Sequence, residues 1–222
     1  MKIIARIRTN FPEKFGIPRQ AGLVPGLLGR IVFEPEYRTA EALRGIEGYS
    51  HLWLIWQFSE AVRDEWSPTV RPPRLGGNRR IGVFATRSPY RPNPIGLSSV
   101  RLVSKEVSES EGTVLIVSGV DMLDGTPIYD IKPYLAFTDS HPDAVSGFAD
   151  EVKDYKLDVV IPSDIKEALK DCDIEALSEI LSEDPRPSYQ NDPERIYGMR
   201  YGEYEVKFRV DGVRLFVVEI VK

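Results

Sequence analysis

Through the first 135 or so residues, apolar positions recur in short runs separated by Gly- and Pro-rich punctuation. Lys2–Thr9 and Gly29–Glu34 alternate apolar and polar residues, the period of a half-buried strand. His51–Phe58 is nearly continuous apolar and reads as one buried strand. Ile81–Ala85, Leu97–Val103, Thr113–Val117 and Ile128–Ile131 follow, rich in β-branched residues and bounded by turn formers. One short helix is predicted here, Thr39 to Arg44, with Thr39 as its N-cap. Many short strands at near-regular spacing predict a mainly β fold, an antiparallel sandwich or a closed barrel. The small closed barrel is preferred, because closure removes edge strands that this sequence does little to protect.

The pattern changes after about residue 138. Thr138-Asp-Ser-His-Pro-Asp-Ala144 is a turn-rich connector. Ile165, Leu169, Ile174, Leu177 and Leu181 then fall at helical spacing, predicting one or two helices over Ser163–Ser182 with Ser163 as N-cap. Tyr201–Val210 and Val213–Val221 predict a hairpin around Asp211-Gly212, a dipeptide suited to a type I′ turn. The expected organisation is a β-barrel domain over 1–140, a connector over 141–162 and a small α+β domain over 163–222. A unit of that size is marginal alone and is expected to pack on the first.

Charge changes this picture. The chain of 222 residues carries a net −5, which speaks against a polyanionic partner until its distribution is read. Residues 66–105 hold Arg71, Arg74, Arg79, Arg80, Arg87, Arg91, Arg101 and Lys105 and no acid, where 34 acids spread evenly would place about 6. That window carries +8 and the rest −13, a cationic field on an acidic body suited to nucleic acid or an anionic ligand. The bland alternative is a solvated basic face. A single cysteine, Cys172, excludes an intramolecular disulfide, and two histidines in no ligand-spaced cluster argue against a metal. No run approaches a membrane span and the N-terminus lacks a secretory pattern, so a cytoplasmic protein is expected.

Standard catalytic motifs are missing: no Gly-x-Gly-x-x-Gly, no Walker loop and no Gly-x-Ser-x-Gly elbow. What remains is loop chemistry. In Thr86-Arg-Ser-Pro-Tyr-Arg-Pro-Asn-Pro-Ile-Gly96, three prolines stiffen the chain that carries Arg87 and Arg91, whose planar forks of donors suit carboxylate or phosphate. Asp121–Tyr134 crowds three acids, Lys132 and Tyr134 around an Asp124-Gly125 turn whose backbone could read an adenine edge. Its bland reading is an ordinary hairpin turn. Gln20 could hydrogen-bond a heterocycle and Arg19 an anion.

The segments PRQ at 18–20, GYSHLW at 48–53, RPPRLGG at 71–77, GVFATRSPYRPNPIGLS at 82–98, DGTPIYDIKPY at 124–134 and DPRPSY at 184–189 occur in that order. Together they resemble the TsaA-like family, the TrmO type of tRNA adenosine N6-methyltransferase, over nearly the whole chain. The resemblance implies a small β-barrel working as a homodimer. It also implies S-adenosylmethionine as cofactor, and methylation of N6 of threonylcarbamoyl-adenosine beside the anticodon of threonine tRNA. It implies cofactor contacts from Pro18, Arg19, Gln20, Ser59, Glu60, Arg87, Leu97, Asp124, Gly125, Thr126 and Pro127. Arg87 is expected on the methionyl carboxylate and the DGTP turn on adenine. Asp124, Asp130 and Tyr134 are by type the acceptors for the N6 proton, with none singled out. The acid-free window, with Arg186 and Tyr189, is expected to meet tRNA. Two alternatives stand beside this: a non-catalytic tRNA- or nucleotide-binding barrel, and an enzyme acting on S-adenosylmethionine with a small-molecule acceptor.

Overall fold

The structure is a computed structural model of residues 1–222 and describes all of them except 73, 74, 76–78, 151, 152, 170–172, 188, 189 and 191. Arg74, Cys172 and Tyr189 therefore lie outside the described residues.

The alternating segments form the main sheet. Its strands are β1 (Ala5–Arg8), β2 (Leu28–Phe33), β3 (His51–Gln57), β6 (Ile95–Ser108), β7 (Gly112–Ser118) and β8 (Pro127–Pro133); the two-residue β4 (Thr69–Val70) and β5 (Ile81–Gly82) pair only with each other. The order is β1-β2-β7-β6-β3-β8, every pair antiparallel. Ala5 opposite Ile128 and Arg6 opposite Pro127 return β8 to β1, so each strand has two neighbours and no edge is left open. Inward positions alternate along β1, β2 and β3, where Ala5 and Ile7, Ile31 and Phe33, and Leu52, Leu54 and Trp56 are buried, while β7 buries the adjacent Val114 and Leu115. β3 is thus not buried on both faces as its apolar run suggests. Trp53 turns outward, where its indole N–H donates to Asp139 Oδ2 at 2.9 Å and its ring lies 5.5 Å from that of Tyr134.

Three local expectations are corrected. Thr39 makes no side-chain cap and precedes a 3-10 turn, Ala40–Leu43, rather than an α-helix. The run Ile81–Ala85 is extended only at Ile81–Gly82 and then coils into a 3-10 turn. Ser163 is the first helical residue rather than the cap.

Beyond a one-turn helix α1 (Ala136–Asp139), the C-terminal part builds β9 (Asp158–Val160), α2 (Ser163–Ala168), α3 (Ile174–Ser182), β10 (Tyr197–Tyr201), β11 (Tyr204–Asp211) and β12 (Arg214–Val221). Asp173 caps α3 by accepting from Ala176 N at 3.0 Å, and Ala176, Leu177, Ile180 and Leu181 form its buried stripe. The sheet order is β10-β11-β12-β9, with β9 parallel to β12. β9 falls inside the segment expected to be connector: Leu157–Ile161 is drawn in because the hairpin β11–β12 leaves one edge of β12 to cover.

The long loop after β1 joins the two halves. Phe11 lies 5.6 Å from Tyr201 and Phe15 stacks 6.4 Å from Phe208, centroid to centroid. Gly202 N donates to Asn10 O at 2.7 Å. Gly16, with φ +93, lets the Met199 side chain lie directly on its backbone, where any Cβ would collide.

Candidate active site

Strand register sends the candidate loops to one end of the closed sheet. Arg8 ends β1 opposite Arg30, near the start of β2. Ser118 ends β7 opposite Leu28, the first residue of β2. Gln57 ends β3 opposite Ile95, the first residue of β6, and Pro127 opens β8 opposite Arg6. Loops 9–27, 58–94 and 119–126 therefore leave from the same rim. All eleven residues singled out as cofactor contacts lie on these loops or within three residues of them. Tyr134 is excluded as their neighbour. Its N–H donates to His51 O at the far end of β3, about 20 Å along β8 from Pro127 at the usual strand rise. Asp130 sits mid-strand, its carboxylate 2.9 Å from Lys132 Nζ.

Within the rim, Arg87 and Gln20 meet: Arg87 Nη1 donates to Gln20 Oε1. Near them stands Asp121, one of the three acids of the Asp121–Tyr134 segment but not among the expected cofactor contacts or proton acceptors. Ser98 Oγ donates to Asp121 Oδ1 at 2.7 Å, and Trp56 Nε1 donates to Ser98 Oγ at 2.9 Å. Gly96 makes this possible, since the Trp56 indole occupies the space a Cβ would need. Burial pushes the Asp121 carboxyl up from 3.8 to about 6, against the Ser98 hydroxyl, the Ala21 N–H and the charge of Arg87, which favour ionisation. The chain Trp56–Ser98–Asp121–Arg87–Gln20 thus links β3, β6 and all three loops.

The DGTP turn is held against β1. Asp124 Oδ1 accepts from Thr9 N at 3.0 Å and Oδ2 lies 3.6 Å from Arg8 Nη1. Gly125, with φ +76, occupies the left-handed region that glycine allows. Asp124 N donates to Phe11 O, Gly125 N to Ile7 O and Thr126 N to Leu123 O. The N–H groups of 124–126 serve the chain itself and Pro127 has none, so the backbone groups this turn leaves for an adenine edge are carbonyls. Carbonyl lone pairs and the half-exposed Asp124 carboxylate are what the turn can present.

The other expected contacts are placed unevenly. Pro18 is buried. Arg19 Nη2 donates to the carbonyls of Asp184 at 3.1 Å and Arg186 at 3.4 Å, bracing its loop on the C-terminal unit. Ser59 and Glu60 form a 3-10 turn, with Lys14 Nζ 3.0 Å from Glu60 O and 3.1 Å from its carboxylate. Leu97 points outward from β6, 58% exposed, while its neighbour Ser98 points in.

One tRNA expectation is corrected. Arg186 is buried, and its guanidinium grips Asp184 at 2.9 and 3.0 Å while Tyr155 Oη donates to the same carboxylate at 3.0 Å. Burial alone would raise Asp184, but the hydrogen bonds and charge of Arg186 hold it below its ordinary value. The DPRP segment is thus a structural turn after α3. Within the basic window Lys105 pairs with Glu47, and Arg91 keeps its charge while its Nη1 donates to Thr86 O at 3.1 Å. Arg71, Arg79 and Arg80 remain exposed on the long loop. Among the described residues no group of acids, histidines or cysteines could hold a metal ion. No helix among them is long and apolar enough to cross a membrane.

A closed antiparallel sheet with an exposed arginine and a largely buried carboxyl on its rim stands outside the nucleotide-binding α/β folds. The family profile of the tRNA-methyltransferase O N-terminal domain matches residues 6–140, and that of the TrmO C-terminal domain matches 154–222. The chain is 39% identical to the Escherichia coli tRNA (adenine(37)-N6)-methyltransferase, covering 97% of this chain and 96% of that one. It is 41% identical to a Pseudomonas aeruginosa protein provisionally named an S-adenosylmethionine-dependent methyltransferase, RcsF, over 97% of this chain and 95% of that one. The crystal structure of TrmO from Pseudomonas aeruginosa superposes with a TM-score of 0.78 at 34% identity, covering 99% of this chain and 97% of that one. The chain belongs to the TrmO family of tRNA methyltransferases.

Proposed function

We propose that this protein methylates N6 of adenosine 37 in tRNA with S-adenosylmethionine, its target being the threonylcarbamoyl-modified adenosine of threonine tRNA. The observation that carries the reading is the joining of Arg87, Gln20 and Asp121 on the rim where three family-matched loops converge. In this reading the closed sheet serves as a small β-barrel domain and the protein acts as a homodimer in the cytoplasm. The C-terminal unit braces the loop of Pro18, Arg19 and Gln20, with a domain boundary in the segment 141–162.

The donor set fits the cofactor's chemistry. S-adenosylmethionine has a carboxylate, an ammonium, a sulfonium and an adenine. The rim offers one guanidinium for the anion, the carboxyls of Asp121, Asp124 and Glu60 for the cations, and amide and carbonyl groups for the base. When bound, it supplies an electrophilic methyl carbon. Arg87 holds the carboxylate end, and Ser59, Glu60, Leu97 and Asp124–Pro127 line the remainder. N6 is a weak nucleophile, its lone pair delocalised into the ring, so alignment of the acceptor contributes most of what the protein must provide. Asp121 and Asp124 are the carboxyls of the 119–126 loop able to take up the N6 proton of the acceptor adenosine. Incubation with S-adenosylmethionine carrying a labelled methyl group, and with tRNA bearing or lacking the threonylcarbamoyl group, tests the proposal. Label should enter the modified tRNA. Turnover without tRNA would favour the small-molecule alternative.

A further inference from the structure

The rim carries an aromatic surface that the cofactor contacts do not use. Trp66 is 53% exposed, Phe84 73% and Tyr90 41%. The other two tryptophans have work inside the fold, Trp53 on Asp139 and Trp56 on Ser98, while Trp66 has no hydrogen bond among the described residues. The exposed rings are organised across two stretches of one loop. Trp66 and Phe84 lie 6.1 Å apart at 31°, and the Arg63 guanidinium carbon lies 3.9 Å from the Tyr90 ring centre. Beneath them Thr69 pairs with Gly82 and Val70 with Ile81, and Val83 N donates to Pro68 O at 2.9 Å, so the stretches are tied. Thr86 Oγ1 donating to Val83 O at 2.9 Å and Ser88 Oγ accepting from Tyr90 N at 3.2 Å hold the second stretch in shape.

Arg87 stands midway between Phe84 and Tyr90 and turns in to Gln20, so the segment that reaches the candidate cofactor site also displays these rings. The chain from 66 to 105 holds no acid, and Arg71, Arg79 and Arg80 are exposed on the same loop, while the exposed Asp64 and Glu65 sit just before Trp66. Exposed aromatic faces beside arginines suit unpaired nucleobases on a phosphate backbone, since every base has a π-face and stacking needs no particular sequence. A protein partner would need acids to match the arginines, whereas RNA brings anion and ring together.

We propose that Trp66, Phe84 and Tyr90, flanked by Arg63, Arg79 and Arg80, form a stacking platform for unpaired bases next to the adenosine being methylated. The proposal rests on the tRNA reading above and adds to it where the single-stranded loop lies. The test uses the full chain, an unmodified threonine tRNA transcript and a fully paired RNA hairpin of similar length. Binding is measured by titration over a range of salt. The double variant Trp66→Ala, Phe84→Ala should bind tRNA about fivefold to 100-fold more weakly, as loss of base stacking does. Its slope of log affinity against log salt should not change, because no phosphate contact is removed. Trp66→Phe should keep most of the affinity, the paired hairpin should bind wild type and variant alike, and S-adenosylmethionine affinity by calorimetry should be the same in both. tRNA affinity within twofold of wild type overturns the platform. So does a change in oligomeric state on size-exclusion, which would assign the patch to a second copy of this chain. Binding needs no turnover: a wild type that binds tRNA through these rings but does not methylate threonine tRNA bearing the threonylcarbamoyl group refutes the methyltransferase reading alone, and one that binds no tRNA refutes both.

Discussion

Replacing Asp121 by Asn tests whether the rim stores an electrostatic cost. The carboxyl is pushed up to about 6 from 3.8, burial outweighing the Ser98 hydroxyl, the Ala21 N–H and Arg87. The folded protein then holds this proton more tightly than the unfolded chain. Below about pH 3.8 the group is neutral in both states and costs nothing. Between about 3.8 and 6 the unfolded chain releases the proton first, and stability falls as pH rises. Above that window the cost is complete. Each pH unit is worth about 1.4 kcal/mol, so the ceiling is about 3 kcal/mol, and about 2 kcal/mol after allowing for the residue's partial contact with water. Asn keeps an acceptor for Ser98 and has nothing to ionise. Urea unfolding of both proteins from about pH 4 to about pH 8 isolates the effect, because titration elsewhere cancels in the difference. The stability of Asp121→Asn relative to wild type should climb by about 2 kcal/mol across the range. A flat difference, or one of opposite sign, would refute the desolvated carboxyl.

Arg87→Ala should weaken S-adenosylmethionine binding about tenfold to 100-fold in calorimetry, the value of a charge-assisted hydrogen bond, with the fold intact by circular dichroism; unchanged affinity removes Arg87 from the carboxylate. Arg186→Ala should cost about 3 kcal/mol in urea unfolding, because it leaves the buried Asp184 carboxylate without its cation, held only by the Tyr155 hydroxyl and the residue-186 N–H, and the salt slope of tRNA binding should stay as in wild type; a reduced slope would restore Arg186 to the RNA interface.

Much of the architecture was legible because period-two alternation writes strands directly into the chain. β1 and β2 follow it, and the Asp211-Gly212 turn joins β11 to β12 as expected, with Gly212 at φ +57. β9 escaped because Leu157–Ile161 is too short to stand out from a turn-rich segment, and only the uncovered side of β12 gives it a partner. At the site, proline spacing marked the Arg87 loop. Asp121 was visible only as one of three acids in its segment, with nothing to set it apart from Asp124 and Asp130. It is one acid among 34, and its character comes from Ser98, Trp56 and Ala21, which only the closed sheet brings to it. Arg186 was misread because a basic residue in a turn looks solvated. The Asp-Pro-Arg spacing was the available signal, since it lets the Asp184 carboxylate fold back onto the guanidinium.

The most direct test is nucleoside mass spectrometry of threonine tRNA carrying the threonylcarbamoyl group, after incubation with the protein and S-adenosylmethionine. Adenosine 37 should gain one methyl group, on N6, with wild type and far less with Arg87→Ala. A methyl group at another position, or none on tRNA that the protein demonstrably binds, would contradict the proposed reaction.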